Sequence, residues 1–328
     1  MPSTHVDGTG GAQMLIEPRY DRQIDPIFII GAPRSGTSAL TWALGQHPNI
    51  QPMPETGWIA SMAVGAFLSH RKGSERGKFS HLSNVELPLE PFMRRTGEAI
   101  DRIVHDVYAE RCGRIYGESS VDNPAWTLNQ KQQQHALQIR RHGSDPKRRW
   151  IDGTPLNSYF LWAISLLFPH AKYIHNLRRP DEVATSLEGF DRVGAEPQAL
   201  EDGLRTWIEH TENAWFAERA LGADKVFRLD FERISQDTEG MLRELCQFLG
   251  EDFSEDCKVP LAKKLNSSEV EERRSINREA LRDSDTFRTA EAIYNATRSH
   301  PAVEACDGEA MDILRQRFLR YCHDRALV

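Results

Sequence analysis

The run Ile27-Phe28-Ile29-Ile30, followed at once by Gly31-Ala32-Pro33-Arg34-Ser35-Gly36-Thr37-Ser38, constrains this chain more than any other stretch. Four apolar residues without alternation read as a strand buried on both faces, as in the centre of a parallel sheet. A turn bounded by Gly31 and Gly36 comes next. Thr37 to Gln46 then carries Leu40, Ala43 and Leu44 on one side, with Pro48 as its stop. Strand, glycine turn and helix open a βαβ unit. In that setting a GxxxxG turn presents backbone N–H groups and a helix N-terminus to an anion. The plain alternative is a glycine-rich connection without a ligand.

The same grammar recurs downstream. Strands are predicted at Trp150-Ile151, Tyr173 to Leu177 and Val226 to Leu229. Helices are predicted at Tyr159 to Phe168, Pro180 to about Gly189, Leu204 to Leu221 and Thr238 to Leu249, the last closed by Gly250. This alternation predicts an α/β fold: a doubly wound, mainly parallel sheet in three αβα layers, with a P-loop-like phosphate site and helical insertions. Residues 1–24 read as a flexible leader and 25–328 as a single domain, with 57–148 and 251–328 as helical elaborations. Lys147-Arg148-Arg149 reads as a solvated loop before a strand, Trp207 and Trp215 as core or interface, and His47 and His175 as structural.

Charge and cysteine usage narrow the partners. The 41 basic and 48 acidic residues leave a net charge of −7, which excludes a protein that coats nucleic acid through a basic surface. The five cysteines show no CxxC spacing, so reduced thiols are expected and neither disulfides nor zinc. The longest greasy stretch, Tyr159 to Phe168, stops at Pro169, far short of the roughly 20 residues of a membrane helix. A soluble, cytoplasmic chain with neither nucleic-acid nor membrane partner is the expectation. Oligomeric state is not encoded in any motif.

The loop also selects its ligand. A nucleotide triphosphatase places Lys after the second glycine to reach the β- and γ-phosphates, and a hydroxyl after that for magnesium. Here Thr37 holds the lysine position and the positive charge is Arg34. No apolar strand ends in an aspartate suited to magnesium. Arg34 with the hydroxyls of Ser35, Thr37 and Ser38 suits a smaller anion, one 5′-phosphate carrying a transferable group.

At these residues the sequence resembles the sulfotransferases that use 3′-phosphoadenosine 5′-phosphosulfate (PAPS). Pro33-Arg34-Ser35-Gly36-Thr37-Ser38 is similar to their 5′-phosphosulfate loop. Leu177-Arg178-Arg179-Pro180 through Ser186 matches their second signature, a strand-end arginine with a serine eight positions on. Asp152-Gly153-Thr154-Pro155, Leu166 to Lys172 and Arg228 to Ile234 follow in the family's order, so the resemblance spans about a third of the chain. Read without the family, Pro180 suits a helix first turn, and Arg178 with Ser186 could converge on one phosphate through charge-assisted hydrogen bonds. The alternative is that Arg178 pairs with Asp181 or Glu182.

The resemblance implies sulfuryl transfer from PAPS to a hydroxyl, less readily an amine, with 3′,5′-adenosine bisphosphate as product and no metal required. Arg34, Ser35, Gly36, Thr37 and Ser38 would hold the phosphosulfate, and Arg178 and Ser186 the 3′-phosphate. Phe231 stands where an adenine-contacting tyrosine is common. Ser267 and Ser268 resemble a late cofactor-contacting serine motif. Arg34 to Thr56 is closest to the tyrosylprotein branch, which makes Glu55 the catalytic base and Arg34 the cation at the developing charge; otherwise Glu55 is an exposed loop carboxylate. Gly153 departs from the family's lysine, leaving a second cation to come from elsewhere, with Arg179 a candidate. The acceptor is a small molecule, carbohydrate or peptide. Two other readings stand beside this: a small-metabolite kinase using ATP and magnesium, and a non-catalytic nucleotide-binding protein.

Overall fold

The computed structural model describes residues 23–116, 126–127, 138–139, 147–190, 197–262, 281, 284–304 and 306–324. Strand β1 (Ile27–Ile30) is buried throughout and occupies the centre of a five-stranded sheet. Helix α1 (Thr37–Gly45) leads from it to β2 (Ile50–Met53). The other strands of the sheet are β5 (Arg149–Asp152), β6 (Lys172–Leu177) and β7 (Val226–Asp230). Their order is β2-β5-β1-β6-β7, and every pairing is parallel. Short strands β3 (Trp126–Thr127) and β4 (Gln138–Ile139) pair antiparallel apart from it.

Helices cover both faces. They are α2 (Trp58–Ser74), α3 (His81–Asn84), α4 (Leu89–Tyr116), α5 (Leu161–Leu167), α6 (Pro180–Glu188) and α7 (Leu200–Leu221). After β7 come α8 (Arg233–Gln236), α9 (Thr238–Leu249), α10 (Asp285–Ser299) and α11 (Gly308–Asp324). The three-layer reading holds, and its cause lies in β1. Side chains alternate across a strand, so Ile27 and Ile29 join Leu40, Leu44, Met241 and Leu245 on one face. Phe28 and Ile30 join Trp150, Phe168, Tyr173 and Phe318 on the other.

Two local features differ from the sequence reading. Ile50 to Met53 is a strand, although Pro52 and its neighbours Pro48 and Pro54 dilute the strand signal. β2 pairs only with β5, at the sheet edge where a missing backbone N–H is tolerated. Lys147 and Arg149 are buried and not solvated. Lys147 Nζ donates to the Gly45 carbonyl at the end of α1 (2.7 Å), and Arg149 donates to the carbonyls of Leu249 (2.6 Å) and Asp25 (2.9 Å). Their charges are spent on backbone oxygens and on Glu251 and Asp25, which is how buried cations are accommodated. Trp207 is fully buried, and His47 and His175 are held by internal hydrogen bonds, as expected.

The crossing of α4 and α5 depends on a missing side chain. A Cβ on Gly97 would stand 2.0 Å from the Leu167 carbonyl oxygen. Helix propensity alone favours Ala there by about 1 kcal/mol. The expected result for Gly97→Ala is nonetheless a loss of roughly 1–3 kcal/mol by overpacking, read as a lower urea midpoint at unchanged m-value.

Candidate active site

The carboxyl ends of β1, β5 and β6 point to one side of the sheet. The connection from β1 leaves toward β2 and β5, and the connection from β6 leaves toward β7. The crevice outside such a reversal is where open α/β sheets bind ligands.

The glycine loop is moulded by β6. Gly31 has φ 123°, and a Cβ on it would lie 2.7 Å from the Asn176 carbonyl oxygen. Gly36 has φ 86°, and its Cβ would lie 2.3 Å from the Phe231 ring. Between them Arg34 takes φ 65°, a left-handed conformation that costs a non-glycine residue free energy. It is held there from the end of β6: Arg178 Nη1 donates to the Arg34 carbonyl (2.7 Å), and Asn176 Nδ2 donates to the Ser35 carbonyl (2.6 Å).

The same arginines join the two sequence signatures. Arg34 Nε donates to Ser186 Oγ (3.0 Å), and its guanidinium lies 4.3 Å from the Phe190 ring centre. Arg178 pairs with Glu182 (2.8 Å) and stacks over Phe231 at 4.4 Å. Trp207 Nε1 donates to the Arg178 carbonyl (2.9 Å), fixing the strand end from α7. Arg34, Arg178, Ser186 and Phe231 therefore form one cluster. The pairing of Arg178 with an acidic residue is realised as well, with Glu182; Asp181 instead accepts from Arg179 (3.2 Å). Thr37 is buried and Ser38 exposed on the first turn of α1. Ser35 Oγ is buried and has no hydrogen-bond partner among the described residues.

Glu55 follows β2. Its side chain is exposed, yet crowding at the crevice lip desolvates the carboxyl enough to be the largest cause raising its pKa above 4.5. Asp152 raises it further and Arg34 opposes both, so Glu55 stands within electrostatic reach of the loop. Asp152 ends β5, directly beside β1, a strand-end aspartate that the sequence reading passes over. The strand Arg149-Trp150-Ile151-Asp152 is too short and too charged at its start to advertise that. Its carboxylate accepts from the Thr154 backbone N–H (2.9 Å), the Thr154 hydroxyl, the Thr56 hydroxyl (2.7 Å) and Asn157 Nδ2 (2.7 Å).

Gly153 follows from geometry. A Cβ there would be 2.2 Å from Thr41 Oγ1, whose hydroxyl donates to the Thr37 carbonyl. A side chain at that position requires Thr41 to turn away from the carbonyl it bonds. Arg179 faces Asp181 and lies 5.9 Å from the Tyr294 ring centre. Ser267 and Ser268 lie outside the described residues. Sequence reasoning missed Asn176, Asp152 and Phe190. Asn176 sits inside an apolar strand and Phe190 just past a helix, where neither residue type signals a site.

A model of the sulfotransferase family matches residues 26–255. The chain belongs to the sulfotransferase family. The matched segment begins just before β1 and ends beyond α9, so it contains the whole sheet and every described element of the crevice. The chain is 25% identical over 230 residues to an uncharacterized protein of Aquifex aeolicus (strain VF5), covering 68% of this chain and 25% of that one. It is 26% identical over 171 residues to nodulation protein NoeE of Sinorhizobium fredii, covering 51% of this chain and 33% of that one. The chain thus spans a quarter to a third of the length of these curated relatives. Among solved structures, a sulfotransferase from Alicyclobacillus acidocaldarius is similar at 17% identity and TM-score 0.44, over 88% of this chain and 98% of that one. No helix among the described residues is long and apolar enough to cross a membrane.

The orphaned Ser35 hydroxyl makes a direct test of the loop. A buried polar group without a partner costs about 1–3 kcal/mol. Ser35→Ala is expected to raise the melting temperature of the ligand-free protein while weakening its affinity for 3′,5′-adenosine bisphosphate. Differential scanning fluorimetry and titration calorimetry read the two effects separately.

Proposed function

We propose that this member of the family transfers a sulfuryl group from PAPS to an acceptor hydroxyl, with Glu55 as general base. The observation that carries the reading is the joined cluster at the strand ends. Arg178 holds the Arg34 carbonyl and Arg34 holds Ser186, so a glycine loop and a second anion-binding pair share one crevice. The residues present fit a compact polyanion. Two guanidinium groups, a buried hydroxyl without a partner among the described residues and a helix N-terminus converge there, and no lysine follows Gly36.

PAPS supplies an activated sulfuryl group: the acceptor oxygen bonds to sulfur as the sulfur–oxygen bond to the 5′-phosphate breaks, releasing 3′,5′-adenosine bisphosphate. Glu55 removes the acceptor proton. Its raised pKa strengthens it as a base. Arg34 and the N–H groups between Ser35 and Ser38 offset the charge that gathers on the leaving phosphate. Arg178 and Ser186 hold the 3′-phosphate, which competes with Glu182 for Arg178. Phe231, already flanked by Arg178 and Gly36, offers the adenine an apolar wall without a hydrogen bond. Ser267 and Ser268 complete the cofactor contacts. A small molecule, a carbohydrate or a peptide fits as acceptor, since the described residues at the mouth carry no motif that selects among them.

Asp152 bears on the kinase alternative. Its carboxylate oxygens are already engaged by four protein donors, so it does not serve as a free magnesium ligand at the strand end.

Thermal stabilisation separates these chemistries. 3′,5′-Adenosine bisphosphate at 100 times its Kd is expected to stabilise the protein by about 2.7 kcal/mol, and ATP with magnesium far less; stabilisation by ATP-magnesium alone overturns the reading. Arg34→Ala and Ser186→Ala should each weaken that binding.

For catalysis, radiolabelled PAPS is supplied with a panel of hydroxylated metabolites, sugars and peptides. Glu55→Gln should lower the transfer rate by roughly 10²–10⁴-fold at nearly unchanged nucleotide affinity. In the native protein the rate should fall as the pH drops through the raised Glu55 pKa, with its acid limb above the ordinary value of 4.5. Undiminished transfer by Glu55→Gln removes Glu55 from the mechanism.

A further inference from the structure

We propose that Asp152 is a positioning residue: through Thr56 and Thr154 it clamps the segment that carries Glu55 against the end of β5. The proposal rests on the reading of Glu55 as the base.

The geometry comes from a carboxylate with no exposure at all. Burial pushes its pKa up, and the groups that oppose the rise are hydrogen-bond donors: the Thr154 hydroxyl first, then Thr56, Asn157 and the Thr154 backbone. Burying a charge without a cation is costly unless each lone pair is satisfied. A short turn at the end of β5 would need only the contacts from Thr154. What exceeds that need is Thr56, 96 residues away in the chain.

Thr56 is fastened twice. Its hydroxyl donates to Asp152 Oδ2 (2.7 Å), and its backbone N–H donates to Thr154 Oγ1 (2.7 Å). Because Thr154 Oγ1 accepts there, its own proton is directed to Asp152 Oδ1. Both fastenings therefore end on the same carboxylate.

Glu55 needs such a clamp. It lies between β2 and α2 in a stretch without regular structure, flanked by Pro54 and by Gly57 at φ 44°. The neighbouring Thr56 supplies the two bonds that set this stretch against Asp152 and Thr154. The charged groups that face Glu55 are Asp152 and Arg34, one on each side of the electrostatic balance. Releasing the clamp frees Glu55 to swing into solvent, and removing the Asp152 charge takes away one of the causes that raise its pKa.

The test reads Glu55 directly. Protein labelled with ¹³C at the glutamate carboxyls is titrated by NMR, and the Glu55 signal is assigned by its loss in Glu55→Gln. Thr56→Val keeps the shape and removes the hydroxyl; Thr56→Ser keeps the hydroxyl and removes the methyl. Asp152→Asn removes the charge.

The expected result is a downward shift of the Glu55 midpoint by about half a unit or more in Thr56→Val and Asp152→Asn, with Thr56→Ser unchanged. If Asp152→Asn does not fold, the two Thr56 variants decide alone. An unchanged midpoint in Thr56→Val overturns the proposal, as does an equal shift in Thr56→Ser, which would assign the effect to packing.

No donor or acceptor is needed, so the outcome is separable from the sulfotransferase reading. Full transfer activity in Glu55→Gln would sink the base assignment while the titration still measured the clamp.

Discussion

The site depends on a strained backbone being supported from the next strand. Arg34 sits in left-handed conformation between two glycines, and the loop keeps that shape because Arg178 and Asn176 bond the carbonyls of Arg34 and Ser35. Strain of this kind persists only where surrounding contacts over-determine it. Here β6 does so with one charged and one neutral donor, and α7 fixes β6 in turn through Trp207. The residue that supports the loop also carries the second positive charge of the crevice. Loop support and the positive charge of the crevice are thus joined in one side chain.

Charge placement within the crevice is graded. The net charge of −7 says nothing of this, because Arg34 and Arg178 are concentrated at two adjacent strand ends. Glu55 and Asp152 lie on the side of β5 and β2, the arginines on the side of β6. Desolvation and Asp152 raise Glu55, and Arg34 lowers it. Such opposed influences are how a carboxylate is brought into a useful range for proton transfer. Deeper in the fold His175, Glu218 and Arg228 form a separate buried network in which burial pushes Glu218 up while His175 first, and then Arg228, hold it below its ordinary pKa.

Much of this was legible beforehand, and the failures have specific causes. β1, its loop and α1 were readable because burial on both faces leaves no polar residues to obscure the strand. β2 was hidden by Pro52, which an edge strand accommodates and a sequence pattern counts against. Lys147 and Arg149 looked solvated because long charged side chains usually are; backbone carbonyls at helix ends absorb them here. Gly153 looked like a lost catalytic cation, whereas the close approach of Thr41 shows that a side chain there would displace the Thr41 hydroxyl.

By itself the sequence determined the alternation of the central strands with their helices, the glycine turn in its βαβ setting and the absence of a lysine after Gly36. These are local facts, set by side-chain period and backbone freedom within a few residues. Only the tertiary structure decided that Arg34 meets Ser186 across 152 positions and that Thr56 meets Asp152 across 96. Those meetings follow from strand order, since β6 lies beside β1 and β5 beside β2. That order is set by how the two apolar faces of the sheet are covered, which no local pattern carries.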